Sequence, residues 1–416
     1  MYKTTDFGTS WKSVVGNLPE SVFSYVHIVR EDPTRPGLLY LGTENSLYIS
    51  YNDGDNWHSL QGNLPHAPVH WLTVQPHFND LVIGTYGRGF WIFDDITHLQ
   101  QLSDEVINSD VHLFSPRNSY RFVPREGKNS QPDDPASGDN PEPGASVNFY
   151  LKEYQGDNAH LVVEDASGNH VRTIDLQGAQ QGLNRAYWDL RYDPSEMPML
   201  RTPVFEHSHV QLGENGYRTP PDGSVVRPLA VPGEYTLRLV VGNDAREVKL
   251  QILQDPQSEA TPEELREQLD FQLELRDMSN VVSTLINRIE WVRKDMIDMR
   301  QRFGTNETYS TPIDLGIELE QALISLEMKL FDLRLTGGSA RQDTIRWPRQ
   351  LWAKISSLAQ YSAGSDDKPT DQSFEVMDLY RVNIEQFMTD WNDFENVDLR
   401  LFNDMLAEYG LTPVGR

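Results

Sequence analysis

Apolar residues in the first part of the chain come in short runs split by turns. Tyr25–Val29, Leu38–Gly42, Ser46–Ser50, His70–Val74, Leu81–Thr85 and Phe90–Asp94 are each strand-length and rich in β-branched and aromatic residues. That pattern predicts strands. A second β region follows, in which Ser146–Leu151, Ala159–Leu176, Gly182–Asp193 and Pro232–Leu253 alternate apolar with polar positions. Asp165–His170 and Gly242–Arg246 read as hairpin turns within it. From Ser258 the period changes to that of a helix. Thr261, Pro262 and Glu264 make a helix start of N-cap, N1 and N3 residues. Val282, Leu285, Ile289, Val292, Met296, Met299 and Phe303 then follow at three-four spacing. This predicts a helix of about 40 residues, or roughly 60 Å, stopped at Arg302–Thr308. Leu319, Leu323, Leu326, Leu330 and Leu333 mark a second helix closed by Gly337–Gly338. Pro348 opens a third, with Leu351, Ile355 and Leu358 on one face, and Phe374, Met377, Ile384, Met388 and Trp391 mark a fourth. Val397–Leu411 extends the fourth or adds a short fifth, capped at Gly410.

The first region repeats itself. "TTDFGTSW" begins at Thr4 and "SYNDGDNW" at Ser50, and both read hydroxyl–x–Asp/Asn–x–Gly–x–x–Trp. "GNLP" at Gly16–Pro19 returns at Gly62–Pro65, and Leu39–Ser50 matches Leu81–Phe93 after a short deletion. A period of about 46 residues, built of some four short strands, suits a β-propeller blade. In each motif the hydroxyl and the Asp or Asn bond backbone N–H groups of a tight turn. The Gly supplies positive φ, and the Trp packs between strands or blades.

Thr4, Asp6, Gly8 and Trp11, and again Ser50, Asn52, Gly54 and Trp57, resemble the Asp-box of BNR-repeat propellers. The resemblance implies a structural role on the outer rim. "GTYGRGFWIFDDI", from Gly84, resembles the last-blade segment of sortilin-like bacterial propeller proteins, often labelled glycosyl hydrolases. It implies that Tyr86, Arg88 and Trp91 line a ligand surface near the central face. "GLNRAYWDLR" with "PGEYTLRL" is similar to appended Ig/fibronectin-III-like modules, with Trp188 and Tyr235 in the core. The order of segments resembles the C-terminal part of such a protein.

The expected organisation is multidomain β + α. Residues 1–114 form a partial β-propeller of about two blades, 115–145 a linker, 146–256 an Ig/FnIII-like β-sandwich with a long insertion at 193–230, and 257–416 an antiparallel helical bundle. Closed propellers have roughly 4–8 blades. Two leave sheet edges open, so the remaining blades are expected from the full-length protein or another chain. The insertion is Pro-rich and is expected to dock the sandwich onto the propeller. It carries His207 and His209 beside Glu206. In an extended segment both imidazoles point to one side, but without a third ligand at fixed spacing they make only a weak metal pair, and no metal or cofactor is expected.

Lys plus Arg number 36 against 62 Asp plus Glu, a net charge of −26, which argues against a nucleic-acid partner. There is no cysteine, so disulfides and thiolate chemistry are excluded. No apolar run spans a membrane. Export to the periplasm, cell envelope or exterior, implied by the resemblance, requires a leader that these residues do not carry.

Catalytic patterns are missing: no Walker-type loop, Gly-x-Ser-x-Gly or His-Glu-x-x-His occurs. Asp94 and Asp95, as strand neighbours, would point to opposite faces and cannot flank one glycosidic bond. Acidic residues on the helices fall mostly on polar faces. Two functions stay open. One is a binding or assembly scaffold for glycan or protein ligands, with a homo-oligomer among its arrangements. The other is a glycoside hydrolase whose catalytic residues, unassigned here, lie mostly in other blades.

Overall fold

The computed structural model describes every residue except 124–137, 155, 157, 208, 338–342 and 416, and the side chains of 343 and 344. Much of the expected linker, with Asp133 and Asp134, and also Gly338, lie outside the described residues. The protein is mixed β and α, with several antiparallel sheets. No helix among the described residues is long and apolar enough to cross a membrane. The chain divides into two compact units.

The first unit holds Met1–Arg121, residues 138–190, and Pro232–Leu253. A two-stranded sheet pairs β1 (Tyr2–Lys3) with β2 (Lys12–Ser13). A four-stranded sheet then runs in chain order through β3 (Val26–Glu31), β4 (Leu39–Thr43), β5 (Leu47–Ser50) and β6 (His58–Ser59). A three-stranded sheet follows, with β7 (Val69–Gln75), β8 (Asp80–Thr85) and β9 (Phe90–Phe93). These sheets share one core, in which Leu38, Tyr40, Val69, Leu72 and Leu81 are fully buried. Gly42 permits their close approach. A β-carbon there would lie 2.6 Å from both the Val69 side chain and the Val69 carbonyl oxygen.

Two short helices, α1 (Thr97–Gln101) and α2 (Asp104–Asn108), lead out of the third sheet. Arg35 ties the first back to the four-stranded sheet by donating to the carbonyls of Gln100 (3.1 Å) and Leu102 (2.7 Å). Next come β10 (Val111–Leu113), β11 (Ser119–Arg121), β12 (Ala145–Leu151), β13 (Ala159–Asp165), β14 (His170–Asp175), β15 (Gly182–Trp188), β16 (Gly233–Val241) and β17 (Asp244–Gln254). They form a sheet ordered β10-β12-β15 and another ordered β11-β17-β16-β13-β14. Trp188 and Tyr235, both buried, meet between these sheets at 5.2 Å, ring to ring. The strand β12 is buried along nearly its whole length. Its polar Ser146 and Asn148 receive the end of β9, because Arg185 donates to Asn148 Oδ1 (2.8 Å) and to the carbonyls of Asp94 (2.8 Å) and Asp95 (2.7 Å).

The second unit holds Arg191–Val231 and the chain from Gln254 onward. Here α3 (Pro262–Phe303) is 42 residues long. Its capping box closes as the sequence predicts: the Glu264 N–H donates to Thr261 Oγ1 at 3.2 Å, and the Thr261 N–H donates to Glu264 Oε2 at 2.9 Å. Against α3 pack α4 (Ser310–Leu330), α6 (Leu351–Ser362) and α7 (Asp371–Asp393), with the short α5 (Asp343–Arg346) between α4 and α6. A wider helical turn at Phe394–Leu399 joins α7 to α8 (Arg400–Glu408).

The insertion belongs to this unit. Leu200 and Val226 enter the helical core. Glu290 on α3 accepts hydrogen bonds from the Arg201 and Thr202 backbone N–H groups and from Thr202 Oγ1 (2.8 Å). Glu290, Glu327 and Arg293 are buried together, and Arg293 donates to Glu327 at 2.6 Å and to Glu290 at 3.2 Å. These carboxylates are exceptions to the rule that acidic residues on the helices fall on polar faces.

Candidate functional site

Two β-bulges build the site. The register of β3 on β4 shifts between Val26 and Ile28, and that of β7 on β8 shifts between Val69 and Trp71. Each leaves one residue unpaired in the ladder, and in both strands it is a histidine: His27 and His70. The neighbouring strands end alike. After Gly42-Thr43 comes Glu44, and after Gly84-Thr85 comes Tyr86. The Glu44 N–H donates to the Tyr25 carbonyl (3.2 Å), and the Tyr86 N–H donates to the Pro68 carbonyl (2.9 Å). Thr43 Oγ1 donates to Ser46 O (3.0 Å), and Thr85 Oγ1 to Gly89 O (2.7 Å). The two units thus place matched residues by matched backbone bonds.

These residues converge. His27 Nε2 and Glu44 Oε2 are 2.7 Å apart, and the Tyr25 hydroxyl donates to the same oxygen at 2.7 Å. The His27 and His70 rings lie 4.2 Å apart, and Tyr86 stacks on His70 at 5.6 Å. Tyr25 meets His27 edge-on at 4.8 Å. The bonds from His27 and then Tyr25 hold the Glu44 carboxyl below its ordinary range. The bond to Glu44 raises the Tyr25 phenol in return. Glu44 therefore stays a carboxylate at neutral pH, oriented by two neighbours. An open groove of about 750 Å³ adjoins the cluster, with Leu18, Pro19, Glu20, Tyr25, His27 and Val29 among its walls. One nitrogen of each His and one oxygen of Glu44 lie within 4.8 Å of one another, a donor set able to hold a metal ion.

Of the residues expected at a ligand surface, Tyr86 joins this cluster and is 71% exposed. Arg88 sits on the exposed hairpin tip, where its carbonyl accepts from Trp91 Nε1 at 3.0 Å. Trp91 itself packs half-buried on the core of the first sheets.

The two repeated turns, Thr4–Trp11 and Ser50–Trp57, close in the same way. Thr4 Oγ1 accepts from the Gly8 N–H (2.8 Å) and Ser50 Oγ from the Gly54 N–H (2.9 Å). Asp6 Oδ1 accepts from the Ser10 N–H and Asn52 Oδ1 from the Asn56 N–H, both at 2.8 Å. Bonds from Ser10, then Thr4, pull the Asp6 carboxyl down to about 2. Gly8 and Gly54 have φ of +89° and +88°. The tryptophans differ. Trp57 is 4% exposed, with its indole N–H on the Val14 carbonyl (2.9 Å) and its backbone bonded both ways to Asn17, whereas Trp11 is 61% exposed. The second motif lies at the far end of its sheet from Glu44, since Leu39 pairs Ser50 while Thr43 pairs Val26.

His207 and His209 lie in a turn rather than an extended segment, their rings perpendicular at 5.8 Å. Among the described residues no third His, Asp or Glu donor joins them. Asp95 is not a strand residue. Its φ of +49° turns it inward, where it is buried and accepts from Ser146 Oγ and the Thr97 N–H. It is a joint between the sheets. Asp94 is raised, first by burial and then by Asp80.

Sequence reasoning passed over Tyr25, His27, Glu44 and His70. The signal was a Val-His pair opening the first strand of each unit, followed by a Gly-Thr pair closing the second. No family model, curated protein or solved structure matches the chain.

Proposed function

We propose that the chain is a binding and assembly scaffold. In this reading, residues 1–95 act as consecutive blades of an Asp-box propeller, and the face around Tyr25, His27, His70 and Tyr86 takes a glycan or protein ligand. One observation carries it: two successive units deliver matched bulge and strand-end residues to a single point beside a groove. Exposed tyrosine rings suit stacking against a sugar ring or a peptide side chain. The reading also accounts for Trp11. Its counterpart Trp57 is covered by Val14 and Asn17 of the preceding unit, and β5–β6 is extended inward by β3 and β4. A further unit of the same form would cover Trp11 and extend β1–β2. The later sheets, read as an Ig/FnIII-like module, and the helices, read as an antiparallel bundle, then serve as spacer and docking parts. Such a protein works outside the cytoplasm.

Binding is favoured over hydrolysis because the usual glycosidase route uses a poised pair of carboxyl groups, whereas Glu44 is already bonded to His27 and Tyr25 and the other carboxyl named in the groove wall, Glu20, is solvent-exposed. An immobilised oligosaccharide array, run beside fluorogenic aryl glycosides, tests this. The expected result is saturable retention without turnover, weakened more than tenfold by Tyr86→Ala. Turnover abolished by Glu44→Gln would replace the scaffold with the hydrolase.

A further inference from the structure

Among the described residues, one group of three imidazole and carboxylate donors comes within coordinating range of itself. We propose that His27, Glu44 and His70 bind a divalent transition-metal ion of the zinc class. The donors come from three different segments, brought together by the two bulges and the turn after β4. Zinc bonds to His nitrogen and carboxylate oxygen are about 2.0–2.2 Å, so donors around one ion sit roughly 3.3 Å apart. The His27–Glu44 pair is already at 2.7 Å, and the whole set spans at most 4.8 Å. A modest rotation of the exposed His70 ring closes the remainder.

The surroundings are those of a ligand set. The Tyr25 hydroxyl donates to the Glu44 oxygen that also meets His27, as outer-shell partners do for metal-bound carboxylates. The His70 ring contacts two others, His27 at 4.2 Å and Tyr86 at 5.6 Å. Two imidazoles and one carboxylate suit zinc, nickel or copper rather than the all-oxygen preference of calcium and magnesium. Three protein ligands leave a fourth position for water or for an oxygen of an incoming ligand.

The inference rests on geometry and not on the scaffold reading, because its test uses metal alone. Chelator-treated full chain is titrated with zinc chloride by calorimetry at neutral pH, with cobalt(II) absorption as a second readout of coordination. The expected result is one ion per chain. His70→Ala, at an exposed position that leaves the core intact, and Glu44→Gln each weaken binding more than tenfold. Tyr25→Phe, which keeps all three ligands, weakens it roughly tenfold. His207→Ala/His209→Ala leaves it unchanged. Absence of stoichiometric binding, or binding lost in the His207/His209 variant and kept in His70→Ala, overturns the proposal.

Discussion

Glu290 and Glu327 are both fully buried beside Arg293, yet their replacement has unequal consequences. Glu290 accepts from two backbone N–H groups of the insertion, from Thr202 Oγ1 and from Arg293. Among the described residues the Glu327 side chain accepts only from Arg293, and its Oε1 has no donor. Burial, and then Glu290, push the Glu327 carboxyl well above its ordinary range. A proton on Glu327 facing Glu290 satisfies both groups and leaves a single net charge to pair with Arg293. Glu290→Ala strands three donors and a buried guanidinium, so it should cost about 3–5 kcal/mol. Glu327→Gln keeps the shape, the acceptor for Arg293 and a donor toward Glu290, so it should cost under about 1 kcal/mol.

At roughly 2–4 °C per kcal/mol for a unit of this size, the first variant melts some 6–20 °C lower and the second barely moves. Circular dichroism at a helical wavelength reports this unit. The pH dependence has a definite sign. Because the folded carboxyl is raised, the stability it contributes is complete below its ordinary titration and is lost as pH rises through the raised value. Glu327→Gln lacks that loss, so its melting temperature should gain on the parent's in alkali. Equal costs for the two variants, or a widening deficit of Glu327→Gln with rising pH, would refute the protonated pair.

Three other outcomes follow from the first unit. Gly42→Ala places a β-carbon against Val69 and should cost about 1–3 kcal/mol, read as a lower denaturation midpoint. Burial, and then Arg185, depress His98 from 6.5 to about 4; the protein should therefore lose up to about 3 kcal/mol as pH falls from 6.5 to 4, and His98→Gln should flatten that profile in denaturant titrations. Trp57→Ala should cost about 3–5 kcal/mol, while Trp11→Ala should stay within about 0.5 kcal/mol in this chain; equal losses would show that Trp11 is already packed.

What was legible in the sequence was local. Thr261, Pro262 and Glu264 announced α3 because a capping box is complete within four residues. The two repeated turns were legible for the same reason, since Thr4 and Ser50 bond the N–H groups of glycines four residues on. The bulges were not, because an extra residue is defined only against the partner strand's register. Thus "VH" reads as ordinary strand until Val26 and Ile28 are seen opposite Thr43 and Gly42. The place of the insertion was equally hidden. Residues 191–231 have no period of their own, and their anchor is Glu290, a charge that pattern reading assigns to a polar face. Two buried backbone N–H groups outweigh that assignment. Asp95 shows the same limit, because its inward turn depends on Ser146, a residue of another sheet.

The convergence of the two bulges can be measured without knowing the ligand. The chain has no cysteine, so the pair His27→Cys/His70→Cys carries the only thiols. A short fluorogenic bis-alkylating reagent, from which each thiolate displaces one halide, should join the pair within one molecule, while each single variant stays unlinked. A double variant that remains as unreactive as the singles would mean that His27 and His70 do not meet.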